Sequence, residues 1–198
     1  GGTPVTSITI ANTQSVATFY YYDDFAAATV TITASDNSSA PDGATGITDG
    51  TDEIAVLAGS TTSYSLSSPV VITAGNEATY TVTRYDQFSN PATSGAETVY
   101  LYSDGAGTNE EFDDELDGLG GTPVTSITIA DTQSAATFYY YDDFAAATVT
   151  ITASDNNIAP DGATGIADDT DTIAVLADVT DSYALDAPAD ITAGNEAT

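Results

Sequence analysis

The chain contains 198 residues, of which 30 are Asp or Glu and only one, Arg84, is basic, for a formal net charge of −29. This charge disfavours nucleic acid and anionic membrane surfaces as partners, because both are bound through cationic side chains. It also opposes compaction unless cations gather on the chain, as in a calcium-bearing medium or in high salt. The absence of Cys and Lys excludes disulfides and lysine isopeptide crosslinks, and no apolar run is long enough for direct membrane insertion.

Alternating β-branched and aromatic residues, separated by Gly, Asp, Asn and Pro, predict β-strands and no helix. From residue 61 the predicted strands are, in chain order, Ser63–Leu66 with Val70–Thr73 (one strand interrupted at Pro69), Ala78–Tyr85, Thr98–Tyr102, Thr125–Ile129, Ala136–Tyr141, Ala147–Ala153 and Thr172–Leu176. A turn is predicted at Asp86–Pro91, and an acidic stretch lies at Asn109–Gly118. Seven short strands in about 115 residues predict an all-β fold, an immunoglobulin-like β-sandwich.

Two nearly identical segments stand in tandem. Residues 1–79 match residues 120–198 at a constant shift of 119 (Gly120 against Gly1), with about 80% identity. Such a long period marks whole domains in a row rather than the turns of a solenoid. We therefore predict the C-terminal strands of a preceding repeat in residues 1–60, a complete repeat in residues 61–178, and the first strand of the next repeat in residues 179–198.

Two stretches resemble a known family. They are "ITAGNEATYTVTRYDQFSNPATSG" (Ile72–Gly95) and "ATFYYYDDFAAATVTITASD" (Ala136–Asp155), and they resemble the immunoglobulin-like repeats of bacterial surface adhesins and invasin-type proteins. The resemblance implies tandem sandwiches outside the cell or on its surface. Ser89 stands where the family's turn usually has Gly, and Ala145–Ala147 replace a Gly-containing turn.

A tyrosine-rich strand occurs in both copies. Alternate side chains of a strand face opposite sides of a sheet, so if Phe138 and Tyr140 point inward, Tyr139 and Tyr141 point outward, or the reverse. Tyrosine is enriched at interfaces. We therefore consider an assembly interface formed by Tyr20, Tyr22, Tyr139 and Tyr141. The alternative is an ordinary half-buried strand.

The loop "NNIAPDGATGIADDTDT" (Asn156–Thr172) is the main candidate for an ion site, with Asp155 at its base. Calcium takes six to eight oxygen ligands from carboxylates and carbonyls. The candidate ligands are Asp155, Asp161, Asp168, Asp169 and Asp171. The other copy of the loop, Asn37–Glu53, has Gly50 in place of Asp169. A solvated loop that keeps the protein soluble is the alternative reading. Asp86, with Asn90, is a second candidate, although such residues often cap their own turns.

The remaining motifs carry less information. Asn37-Ser38-Ser39 is an N-glycosylation sequon in a predicted loop. Asp142 and Asp143 are consecutive, so on a strand their carboxylates would point apart and would not form a catalytic pair. The serines have no His or Lys to activate them. No catalytic residue is therefore predicted, and we expect a protein that is not an enzyme.

The function most consistent with these sequence features is structural. We expect a segment of an extracellular filament or cell-surface fibre built from tandem immunoglobulin-like domains. Such domains can be completed by strand sharing, because sheet edges offer unpaired backbone groups. The expected partners are copies of the same chain in a head-to-tail fibre, and the expected cofactor is Ca²⁺. The alternative is an adhesin stalk or binding repeat that recognises surface glycans or a host protein.

Overall fold

The computed structural model describes residues 3–67, 71–116 and 122–179, and every regular element in these ranges is a β-strand. The strands are β1 (Ala27–Ala34), β2 (Gly50–Val56), β3 (Ser63–Ser67), β4 (Val71–Thr73), β5 (Asn76–Tyr85), β6 (Glu97–Ser103), β7 (Glu111–Asp113), β8 (Ser126–Ile129), β9 (Ala135–Asp142), β10 (Ala146–Ser154) and β11 (Asp169–Leu176). The prediction of an all-β fold is therefore confirmed.

Strands β3 to β11 form two sheets around one core. One sheet has the order β3-β5-β9-β7 and the other the order β4-β11-β10-β6-β8. The described pairs are antiparallel except β4 with β11, which are parallel. Buried residues from both sheets form a single hydrophobic cluster. This arrangement is a β-sandwich, and we call β3–β11 the complete repeat.

Strand β5 shows how the sequence builds this core. Its residues Ala78, Tyr80 and Val82 are buried at every second position, as the period of a strand requires. On the neighbouring strand β9, Phe138 and Tyr140 are buried at the same spacing. Tyr80 stacks on Phe138, with ring centroids 5.2 Å apart. The apolar side chains that alternate along the sequence of both strands therefore face the core.

Arg84 continues the buried positions of β5, although it is the only basic residue of the chain. It is 1% exposed, and it forms an ion pair with Glu97 at 3.2 Å. Its guanidinium also donates to the carbonyl oxygens of Gly95 at 2.7 Å and Gln133 at 2.8 Å. The charge is thus neutralised by one carboxylate and by backbone carbonyls, as a buried cation requires.

Two elements differ from the sequence prediction. The predicted strand Ser63–Leu66 with Val70–Thr73 is divided between the sheets, since β3 pairs with β5 and β4 pairs with β11. The acidic stretch at Asn109–Gly118 contains the short strand β7, whose Phe112 packs edge-on against Phe138. One apolar residue between carboxylates carries too little periodicity to predict a strand.

The N-terminal residues repeat only part of this architecture. Strands β1 and β2 form a separate hairpin. Its pairs Val30↔Ile54 and Thr31↔Glu53 correspond to Val149↔Ile173 and Thr150↔Thr172 of β10 and β11. We call residues 3–56 the half-module. The predicted first strand of the next repeat, residues 179–198, lies outside the described residues except for Val179.

A turn links the half-module to the complete repeat. Ser89 has a φ of 65°, a left-handed conformation that glycine adopts without strain. The side chain of Asn90 donates to the Asp24 carbonyl oxygen at 2.8 Å and accepts from the Ala26 N–H at 2.9 Å. One buried amide therefore binds the backbone of the preceding loop.

Candidate metal centre

The acidic loop between β10 and β11 is shaped by its own short-range hydrogen bonds. Asn156 accepts a hydrogen bond from the Ile158 N–H at 3.0 Å, which forms an Asx turn. Gly162 and Gly165 have φ angles of 75° and 72°, which only glycine adopts without strain. The loop therefore folds back on itself and returns Asp168 to the base where Asp155 lies.

Three carboxylates converge in this loop. Asp155, Asp161 and Asp168 each place one oxygen within 4.8 Å of the others. One oxygen of each group is anchored: Oδ2 of Asp155 accepts from the Ile166 N–H, and Oδ2 of Asp161 accepts from the Asn156 amide, both at 3.1 Å. Oδ2 of Asp168 accepts from two backbone N–H groups at 2.9 and 2.7 Å. The carboxylates are therefore held in place by the loop backbone and, at Asp161, by the side chain of Asn156.

The other oxygen of each carboxylate is buried without a hydrogen bond. This holds for Oδ1 of Asp155, Asp161 and Asp168. An unpartnered buried carboxylate oxygen is costly, and three of them close together also repel one another. The three groups thus form a preorganised set of oxygen donors.

The half-module contains the same arrangement 119 residues earlier. Asp36, Asp42 and Asp49 also bring carboxylate oxygens within 4.8 Å of one another. The Gly43 N–H donates to Asp49 at 2.7 Å, and the Ile47 N–H donates to Asp36 at 3.2 Å. Hydrogen bonds from the Ser35 side chain and the Gly43 N–H lower the pKa of Asp49, which favours its ionised form.

These carboxylates have no protein cation to neutralise them. The chain has one basic residue, and its guanidinium is committed to Glu97 and to carbonyl oxygens. Three carboxylates with free oxygens suit a hard cation, and two oxygens on opposite sides of Ca²⁺ lie about 4.6–5.2 Å apart. The geometry therefore fits a divalent cation such as calcium.

The other predicted ligands lie elsewhere. Asp169 accepts a hydrogen bond from the Leu66 N–H at 2.7 Å, so it ties β11 to β3. Asp171 lies in β11 opposite Ile151. Neither belongs to the group of three. Asp86 is 4% exposed, and its carboxylate accepts from the N–H groups of Gly59 at 2.8 Å and of Phe88 at 2.9 Å.

The environment of Asp86 sets its protonation. Burial disfavours its charged form, but hydrogen bonds from Gly59, Asn90 and Phe88 outweigh burial and lower the pKa from 3.8 to about 2. Since several donors already occupy both oxygens, Asp86 caps the turn next to the half-module. Its local geometry is that of a turn cap.

The predicted interface tyrosines occupy different environments in the two copies. Tyr139 is half-buried and Tyr141 is only 7% exposed, because Tyr141 lies between Glu77 and Glu111 of the neighbouring strands. Tyr20 is 95% exposed and Tyr22 is also exposed. The complete repeat therefore presents less tyrosine surface than its sequence copy.

The remaining motifs have local partners. Asn37 donates through its amide to Asp42 at 3.3 Å and accepts from the Ser39 N–H at 3.0 Å, so the sequon forms an Asx turn. Asp142 accepts from the Tyr140 hydroxyl at 2.8 Å, and Asp143 accepts from the Asn109 amide at 2.7 Å. The two consecutive carboxylates have separate partners and do not converge.

The sequence prediction includes the three converging carboxylates of the second copy but not those of the first. The first set, Asp36, Asp42 and Asp49, follows from subtracting 119 from Asp155, Asp161 and Asp168. What the sequence could not reveal is that Asp169 and Asp171 stay on the strand while Asp168 turns into the loop. That choice depends on where β11 begins.

No family model matches the chain, and no curated protein matches it. Three solved structures show a partial likeness. A glycosyl hydrolase family 2 member from Bacteroides cellulosilyticus has 14% identity and a TM-score of 0.43, over 65% of this chain and 17% of that chain. A β-glycosidase from Bacteroides vulgatus has 14% identity and a TM-score of 0.43, over 63% and 15%. A β-glucuronidase from glycoside hydrolase family 2 has 16% identity and a TM-score of 0.43, over 66% of this chain and 13% of that chain.

These likenesses cover less than a fifth of each neighbour, and they carry no argument about activity.

In the described part of the chain, no helical segment has the length and apolar character that a membrane crossing needs.

Proposed function

We propose that this chain is a structural segment of an extracellular filament or cell-surface stalk, built from tandem immunoglobulin-like sandwiches that each bind Ca²⁺ in the acidic loop. The observation that carries this proposal is the repeated group of three carboxylates, Asp36, Asp42 and Asp49 and then Asp155, Asp161 and Asp168. A site repeated with the domain period belongs to the repeat itself, so each module of a fibre would carry one ion.

Calcium would act on stability rather than on catalysis. A cation between the three carboxylates removes their mutual repulsion and provides ligands for the buried oxygens. It would close the loop onto the end of the sandwich and stiffen that end. Binding to the folded state alone stabilises it by about 2.7 kcal/mol at a ligand concentration of 100 times the Kd.

The junction supports a structural role. Asn90 binds the backbone of Asp24 and Ala26, and Asp86 binds the Gly59 N–H between the two parts. Such a junction would fix one orientation between successive repeats, and a constant orientation propagates into a rod or a helical filament. The absence of activating His, Cys or Lys residues is consistent with a protein that is not an enzyme.

The experiment is a calcium titration of the chelated chain by calorimetry, with thermal unfolding recorded in parallel. We expect two sites per chain. The Asp168→Asn variant should lose one site and the Asp49→Asn variant the other. The matched control, Asp52→Asn, removes the same charge outside the group and should retain both. Loss of a site in the control, or no binding at millimolar Ca²⁺, would contradict the calcium part of the proposal.

Electron microscopy of the calcium-loaded protein tests the structural part. Regular filaments or uniform rods of end-to-end repeats are expected. Rods that remain single and bind glycans would favour the adhesin instead. A calcium titration in high NaCl separates two explanations of the acidity, a specific calcium site and general screening of the charge by salt. A specific site keeps its calcium stoichiometry in high NaCl, whereas general screening predicts no fixed stoichiometry.

A further inference from the structure

A pocket of about 510 Å³ opens beside the acidic loop of the complete repeat. Its wall contains two of the three converging carboxylates, Asp155 and Asp161, together with Tyr100, Asn157 and Thr164. The volume lies within the roughly 300–1,000 Å³ of small-molecule sites. Since the wall combines acids, an amide and a hydroxyl with one aromatic ring, it suits a polar ligand that also has an apolar face.

Strand β6 places the aromatic ring at this pocket. Val99 and Leu101 of β6 are buried in the core, so Tyr100 between them faces the outer side of the sheet. Its partners on the neighbouring strands are the small residues Ser126 and Ser154, and Tyr100 itself is only half-buried. Tyr100 therefore offers an aromatic surface to the pocket.

The start of the acidic loop is fixed on the same side of the sheet. Tyr102 follows Tyr100 by two residues and so faces the same side, and its hydroxyl donates to the Asn156 carbonyl oxygen at 2.5 Å. The Asn156 N–H donates to the Ser154 hydroxyl at 3.1 Å. The loop is thus held beside Tyr100 before any ligand binds, and such preorganisation lowers the cost of binding.

The three carboxylates leave coordination positions that face this pocket. Asp155, Asp161 and Asp168 each have one buried oxygen without a hydrogen bond, which provides three of the six to eight oxygen ligands that Ca²⁺ takes. Asp155 and Asp161 line the pocket, whereas Asp168 does not. An ion held by all three would therefore have Asp168 behind it and the pocket in front, where further oxygen ligands can approach.

Charge decides which oxygen ligands these are. Three carboxylates exceed the double charge of one Ca²⁺, and the chain carries a net charge of −29, so an anionic ligand would be repelled. A neutral saccharide avoids this cost. Two adjacent hydroxyls can bind the ion, other hydroxyls can form hydrogen bonds with Asn157 and Thr164, and the apolar face of the sugar ring can stack on Tyr100.

We infer that this pocket is a calcium-dependent binding site for a neutral saccharide, in which Asp155, Asp161 and Asp168 hold the ion and Tyr100 is the stacking surface. The inference rests on the proposed function, because it needs Ca²⁺ in the acidic loop, and it deepens that function by naming the ligand of the ion. A fibre of such repeats would present one saccharide site per complete repeat, and its structural role would remain.

The first test titrates methyl α-mannoside, and in a parallel arm methyl α-galactoside, into the isotopically labelled full chain and follows NMR spectra. At the usual affinity per atom, a ligand of this size binds with a Kd on the order of 1 mM. Saturable binding of at least one sugar is expected with Ca²⁺ and not with chelator, with changes at Tyr100, Asn157 and Thr164. The fully O-methylated form of that sugar keeps the ring but has no hydroxyl, and it should not bind.

Variants separate the ion from the stacking surface. Tyr100→Ala should weaken saccharide binding by about 3- to 10-fold and leave the Ca²⁺ affinity unchanged, whereas Tyr100→Phe should retain saccharide binding. Asp168→Asn should lose the ion of this loop and the saccharide with it. The matched control Asp49→Asn removes a carboxylate from the other group of three, so its saccharide binding should be unchanged.

Saccharide binding that persists in chelator, in Asp168→Asn or undiminished in Tyr100→Ala would overturn the inference, and so would equal binding of the O-methylated sugar. Loss of saccharide binding in Asp49→Asn would place the ligand elsewhere and overturn it as well. A chain that binds Ca²⁺ but neither sugar refutes the inference and leaves the proposed function in place. A chain that binds no Ca²⁺ refutes the ionic part of the proposed function and the inference with it.

Discussion

Residues 17–37 and 136–156 have the same sequence but different structures. In both copies a tyrosine hydroxyl donates to the aspartate two residues later, Tyr21 to Asp23 at 2.5 Å and Tyr140 to Asp142 at 2.8 Å. In both copies the aspartate at the base of the acidic loop accepts a backbone N–H eleven residues later. Contacts between residues close in sequence are therefore reproduced wherever this sequence occurs.

The strand that carries the tyrosines is not reproduced. Residues 136–141 lie in β9 between β5 and β7, whereas residues 17–22 form no strand. A strand needs partners for its backbone groups and a core for one face. The turns and the acidic loop are thus specified locally, while the sandwich also requires β3 to β7 as neighbours of β9, β10 and β11.

The largest difference is expected from removing the same phenyl ring in each copy, Phe138 and Phe19. Phe138→Ala should lower the free energy of unfolding by about 3–5 kcal/mol, because a fully buried ring leaves a cavity. Phe19→Ala should change the free energy of unfolding by less than about 0.5 kcal/mol, because Phe19 is already half exposed. Denaturant titrations of both variants measure the difference. Equal losses would mean that the half-module has a buried core of its own.

Arg84 belongs only to the complete repeat and has no counterpart in the half-module. Arg84→Met should cost about 3 kcal/mol, because it leaves Glu97 without its cation and the carbonyls of Gly95 and Gln133 without a donor. Arg84→Lys restores the charge but not the planar donor geometry, so it should recover only part of the loss. If the same titration gave Arg84→Met an unchanged free energy of unfolding, the guanidinium would contribute nothing to stability.

A smaller effect is expected from the local hydrogen bond that both copies share. Tyr140→Phe should destabilise by about 1–3 kcal/mol, because buried Asp142 loses a donor. Tyr21→Phe removes the same bond at an exposed site and should be near neutral. The Tyr140 hydroxyl also accepts a hydrogen bond from the Ser103 hydroxyl at 3.3 Å, whereas Tyr21 is exposed. A matching loss in Tyr21→Phe would contradict the view that the first copy is solvent-exposed.

Much of the fold could be read from the sequence because alternation is a strong local signal. Ala78, Tyr80 and Val82 predict both the strand and its buried face. The sheet switch between β3 and β4 and the short strand β7 could not be read, since both depend on which neighbours offer an edge. Immunoglobulin-like topology remains a prediction.

The candidate site was predictable in part. Asp155, Asp161 and Asp168 lie in one loop, and glycines at positive φ return the chain to its base. The sequence could not separate them from Asp169, whose carboxylate binds the Leu66 N–H far away in the sequence. Which aspartates converge is decided by the end of a strand, and a strand end depends on tertiary pairing.

The smallest effect concerns Asp86, at the boundary between the two parts. Its pKa is lowered to about 2 from 3.8 in the unfolded chain, so the folded state is stabilised while the carboxylate is charged. This stabilisation is complete above about pH 4 and is lost as the pH falls through 2. Asp86→Asn should therefore remove part of the acid dependence of the unfolding midpoint between pH 4 and pH 2. An unchanged acid dependence in Asp86→Asn would mean that the hydrogen bonds from Gly59 and Phe88 do not hold this carboxylate in its charged form.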